Sequence, residues 1–130
     1  MADVSPPARM TGGMDFWTYA LHVAGPGLPA AWSAPLIARI PGATGRFALL
    51  GRESRLQGWA ATCGYPAPPL VELIPAGEVL ELPVQVTGRM PGTSMAAIMN
   101  AQPWCIPRLA RQLGAVHAAL HRLPAPGWAD

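Results

Sequence analysis

Leu36-Ile37-Ala38-Arg39-Ile40-Pro41-Gly42 and Phe47-Ala48-Leu49-Leu50-Gly51-Arg52-Glu53-Ser54-Arg55-Leu56 stand a few residues apart, and the hydrophobic period changes between them. The first stretch is short, apolar and closed by a Pro-Gly turn signal, which predicts a strand over 36–40. In the second, Leu49, Glu53, Leu56, Ala60 and Cys63 recur at steps of three and four, with Leu50 and Trp59 beside them, until Gly64 ends the run. That spacing predicts one amphipathic helix. Each element carries a charge out of keeping with its surroundings. Arg39 lies inside the apolar strand, where an unpaired guanidinium is costly to bury, and Glu53 is the acid on the apolar side of the helix. The two are expected to pair, although Arg52 and Arg55 flank Glu53 and offer it a solvated alternative.

Upstream, Met10-Thr11-Gly12-Gly13-Met14-Asp15 is a glycine turn feeding an aromatic and β-branched strand over Trp17–Val23. The Pro- and Gly-punctuated residues 24–34 connect it to the strand at 36–40. Downstream, Pro66, Pro68 and Pro69 impose an extended path into Leu70–Ile74, and Gly77 separates that run from Val79–Val86, which predicts a hairpin. Pro83 suggests that the second arm is an edge or bulged strand. Residues 87–92 read as a linker. Thr93 or Ser94 can cap a short helix to about Gln102, and a longer helix starts at Pro107 and stops before Pro124. Its stripe of Ile106, Leu109, Leu113, Val116, Leu120 and Leu123 has no facing helix of similar length. It should pack on something outside these residues or on a second copy of itself.

Composition narrows the function. The chain has 130 residues, 51% of them hydrophobic and 12% charged, which excludes a disordered polymer. All nine basic residues are Arg and they are scattered singly, so nucleic acid is not an expected partner. No run reaches the ~18 to 20 apolar residues of a membrane span, and the first residues lack the basic and apolar regions of a signal peptide. Cys63 and Cys105 have no metal-ligand spacing and read as two buried thiols of a cytoplasmic protein. His117 and His121, four apart, lack both an H-E-x-x-H setting and a third ligand, so they read as helix histidines and no metal ligand is expected. His22 reads as a strand side chain.

Several stretches together resemble the aminoglycoside phosphotransferase family. Met10 to Tyr19 is similar to its leucine-x-glycine-glycine-x-x-asparagine-x-x-tyrosine start, and Pro35 to Ile40 to its third strand, which often ends in Arg. Arg52-Glu53-Ser54-Arg55-Leu56 with Gly64-Tyr65-Pro66-Ala67-Pro68 resembles its "RE…L…G-x-P-x-P" helix and exit. Val86 to Met95 resembles its inter-lobe linker, and Leu109 to His121 its "LA-x-x-L-A-x-L-H" helix. The resemblance implies an α+β fold: a protein-kinase-like N-lobe, with an antiparallel sheet and one inserted helix, over 1–86, a linker over 87–93, and the start of a helical lobe over 94–130. It implies ATP or GTP with Mg²⁺, and a small-molecule hydroxyl as acceptor. Gly12 and Gly13 would then lie over the phosphates, Arg39 would contact them, and Glu53 would orient Arg39. The backbone from Gln85 through Val86, Thr87 and Gly88 would meet the purine edge.

The departures from the family pattern bear on activity. The family's Asn at the glycine turn is Phe16, or Asp15 with an offset of one, and the linker's usual acid is Gly88. The family's H-x-D-x-x-x-x-N loop and metal-binding acid do not occur, and the acids that orient the hydroxyl and hold Mg²⁺ would come from there. The chain is therefore expected to be a fragment or one part of a split gene: nucleotide-binding, without catalytic residues, and inactive alone. The alternative is a non-catalytic binding or regulatory module that dimerises through the 106–123 helix.

Overall fold

The computed structural model describes residues 3–4, 6–11, 15–42 and 47–128. Among these residues seven strands and three α-helices follow one another as β1 (Asp3–Val4), β2 (Ala8–Met10), β3 (Phe16–Leu21), β4 (Val23–Ala24), β5 (Leu36–Pro41), α1 (Phe47–Thr62), β6 (Leu70–Ile74), β7 (Val84–Gly88), α2 (Met95–Ala101) and α3 (Ile106–His121). Five of the strands form one antiparallel sheet in the order β2-β3-β5-β7-β6, and β1 pairs with β4 in a separate ribbon.

Alternation along the strands gives the sheet two unlike faces. Ala38 stands opposite Val86 across the β5–β7 ladder. Leu36, Ala38, Val84 and Val86 form the buried apolar cluster, joined by Leu21, Ile40, Val71 and Ile74. A register irregularity between Leu70 and Glu72 gives β6 an extra residue, Val71, which packs on that cluster. On the opposite face Arg39 is paired with Gln85, and Ile37 with Thr87. Gln85 and Thr87 are buried even though polar. α1 lies over this second face.

The helix uses a different side from the one its leucines suggest. Leu49 and Leu56 are exposed, whereas Leu50, Ser54 and Ala60 are buried. Small and hydrogen-bonded groups explain the choice. The Ser54 hydroxyl donates to the Leu50 carbonyl at 2.7 Å, so it can be buried without loss, and Gly58 lets the helix approach Leu70, where an added Cβ would stand 3.3 Å from the Leu70 Cβ. Gln57 Nε2 donates to the Pro68 carbonyl at 2.9 Å and ties the helix to the segment entering β6.

Other expectations need correction. The second arm of the hairpin begins at Val84 rather than Val79, because Pro83 can give no N–H to a ladder and the residues before it bend. β7 is an inner strand, and the edge position and irregularity belong to β6. The strand after the glycine turn ends at Leu21, so exposed His22 lies between β3 and β4. Cys63 is exposed just past the last turn of α1, and Cys105 is half-buried. Ser94 caps α2, accepting from the Ala97 N–H at 3.2 Å. Along α3 only Leu109 is buried, and Ile106, Leu113, Val116 and Leu120 remain exposed. No helix among the described residues is long and apolar enough to cross a membrane.

Candidate functional site

Arg39 is the centre of a cluster drawn from four elements. Its Nη1 donates to Gln85 Oε1 at 3.0 Å, from β5 to the facing residue of β7. Its Nη2 stands 4.0 Å from Glu53 Oε2 on α1. Its guanidinium carbon lies 4.2 Å from the centre of the Phe16 ring, at the start of β3. Phe16 faces Pro41 in the ladder and is diagonal to Arg39, a separation that long side chains span. A cation over an aromatic face is attractive, so Phe16 steadies the arginine.

The three partners differ in weight. Glu53 is 41% exposed at the limit of ion-pair distance, and such pairs contribute little in water. Gln85 is completely buried and held at its other end, since its Nε2 donates to Gln57 Oε1 at 3.4 Å. A chain of contacts therefore runs from the Pro68 carbonyl through Gln57 and Gln85 to Arg39. Arg39 itself keeps 29% of its side chain exposed. A guanidinium has five N–H donors in a rigid fork, and those not turned to Gln85 or Glu53 can face an oxyanion. The sequence had given Gln85 only a backbone role. Its signal was a polar side chain in an apolar strand, the same kind of anomaly that marked Arg39.

The other expected residues fall as follows. Gly12 and Gly13 lie outside the described residues. Next to them, the Gly42 N–H donates to the Asp15 carbonyl at 3.0 Å, joining the entry of β3 to the exit of β5. Val86, Thr87 and Gly88 belong to β7, which is flanked by β5 and β6. The Gly88 N–H donates to the Pro69 carbonyl at 2.9 Å, and the Arg89 N–H to the Pro35 carbonyl at 2.8 Å. Gly88 also has no room for a side chain, because a Cβ there would come within 2.9 Å of the Pro69 ring. That crowding gives a physical reason for glycine at this position. A cavity of about 730 Å³ lies between α1 and the C-terminal stretch, lined among others by Arg52, Arg55, Leu73 and Trp128, and is separate from the Arg39 cluster. The Arg55 guanidinium lies over the Trp128 ring at 4.7 Å, so the C-terminal stretch supplies part of the wall of this hollow.

A five-stranded antiparallel sheet with one helix between its third and fourth strands in chain order, followed by further helices, is an α+β arrangement consistent with a kinase-like N-lobe. The sequence model of the phosphotransferase enzyme family matches residues 8–129, and the chain belongs to that family. No curated protein and no solved structure gives a significant match.

Proposed function

We propose that the chain is the nucleotide-gripping part of a small-molecule kinase, and that Arg39 contacts the phosphates of ATP or GTP. The observation that carries this reading is an arginine fixed by Gln85, Phe16 and Glu53 yet open to solvent on one side. Fixing the fork before binding lowers the ordering cost of gripping an oxyanion. In this reading residues 1–86 form the nucleotide lobe, 87–93 the connection and 94–130 the opening of the helical lobe. Gly12 and Gly13 would cover the phosphates with backbone N–H groups. The purine would lie near Val86, Thr87 and Gly88, with its polar edge met by backbone beyond the Pro35 and Pro69 contacts.

Mg²⁺ is a separate matter. Among the described residues no group of three or more His, Cys, Asp or Glu side chains could hold a metal ion. The donors among the described residues do not fit Mg²⁺. Transfer to a hydroxyl also needs a carboxylate to orient the attacking oxygen, and no H-x-D pattern occurs in the sequence. These residues alone are therefore inferred to bind nucleotide without transferring phosphate. Calorimetric titration with ATP tests the reading. Arg39→Ala should weaken binding about tenfold or more, the loss expected of a charge-assisted hydrogen bond, while Arg111→Ala on α3 should leave it unchanged. Equal effects would remove the phosphate contact, and labelled phosphate appearing on an aminoglycoside or macrolide would remove the inactivity.

A second reading rests on the exposed stripe of Ile106, Leu113, Val116 and Leu120. In it the chain is a non-catalytic module that dimerises through α3. Sedimentation separates the two, because only the module requires a concentration-dependent dimer.

A further inference from the structure

His117 and His121 have no part in the nucleotide reading, and their geometry differs from that of two unrelated surface residues. They stand four positions apart on α3, both exposed, with their Nε2 atoms 2.9 Å apart and ring centroids 4.7 Å apart. The nitrogens are closer than the centroids, so the rings converge on their Nε2 ends. Without a ligand this is a hydrogen bond between two imidazoles, one donating Nε2–H and the other accepting.

We propose that this pair is a two-imidazole clamp for a divalent transition-metal ion, with Cu²⁺ the preferred occupant. Imidazole nitrogen binds such ions at roughly 2.0 to 2.1 Å, and two nitrogens 2.9 Å apart then subtend an angle of about 90° at the ion. That is the angle between neighbouring positions of a tetragonal or octahedral ion. A tetrahedral ion would need the nitrogens about 3.3 Å apart at the same bond length. The general affinities of nitrogen ligands favour Cu²⁺ and then Ni²⁺ over Zn²⁺, and the spacing is compatible with neighbouring positions of a tetragonal ion. The rings need only turn from facing each other to facing a common point, and their exposure leaves them free to do so. For both Nε2 atoms to offer lone pairs, the donating ring must carry its proton on Nδ1 instead. One tautomer changes and no net proton is released. Water completes the remaining positions, as expected at a site with two protein ligands.

The test uses the full 130-residue chain without a histidine tag and the metal ions alone. Calorimetry should give one Cu²⁺ per chain, with weaker Ni²⁺ and still weaker Zn²⁺ binding, and the Cu²⁺ spectrum by electron paramagnetic resonance should show two nitrogen ligands. His117→Ala and His121→Ala should each weaken Cu²⁺ binding about tenfold or more, because either change abolishes the chelate. His22→Ala should bind as the parent does. The clamp is overturned if either α3 variant binds like the parent, if His22→Ala weakens binding equally, or if Zn²⁺ binds as tightly as Cu²⁺.

Discussion

Helices α1 and α3 have the same length, 16 residues, and opposite surroundings. α3 has the more sharply segregated sequence, with its apolar residues gathered on one side, yet only Leu109 on it is buried. α1 has the more mixed sequence and buries Leu50, Ser54 and Ala60 against the sheet. Segregation states which side a helix would bury; a complementary seat decides whether it does. The seat of α1 includes polar atoms that hydrophobic pattern ignores: the Pro68 carbonyl receiving Gln57, and Gln85 bonded to Gln57 from below.

The contrast can be broken or sharpened by substitution, read as shifts in urea denaturation. The largest effect is expected for Leu50→Ala, which empties a fully buried site beneath α1 and should cost about 2 to 5 kcal/mol. Gly88→Ala comes next at about 1 to 3 kcal/mol, because the new methyl collides with the Pro69 ring beside the carbonyl that anchors Gln57. Ser94→Ala removes the cap of exposed α2 and should cost about 1 kcal/mol. Leu113→Ser on α3 should stay within about 0.5 kcal/mol, as expected where a side chain is more than half exposed. If Leu113→Ser cost as much as Leu50→Ala, the α3 face would be covered in solution and the contrast would vanish.

The sequence made some of this visible and concealed the rest for identifiable reasons. β5, β6, α1 and α3 were legible because each has a clear period and a Pro or Gly stop. Arg39 was legible because a charge in an apolar strand requires a partner, and Glu53 was the acid in helical range. The buried side of α1 was not, since Leu49 and Leu56 outweigh Ser54 and Gln57 in any count of apolar residues, while hydrogen bonds decided the docking. β2 escaped because Ala8-Arg9-Met10 is too short to show alternation. The contact of Phe16 with Arg39 depends on a diagonal across two strands, and register is not written in either strand alone. The pairing of Gln85 with Arg39 was hidden for the same reason.

The strand β7 holds four consecutive buried residues of alternating chemistry, Val84, Gln85, Val86 and Thr87. This alternation penalises a register error on both faces of the strand. A slip of one residue against β5 would turn Gln85 into the apolar cluster with its amide unpaired and set Val86 against the guanidinium of Arg39, so both faces would lose at once. A strand with one face buried and the other in solvent discriminates against that error from one side only; here both faces are buried, two independent losses reject the misaligned pairing, and the same register that assembles the core also places Gln85 under Arg39.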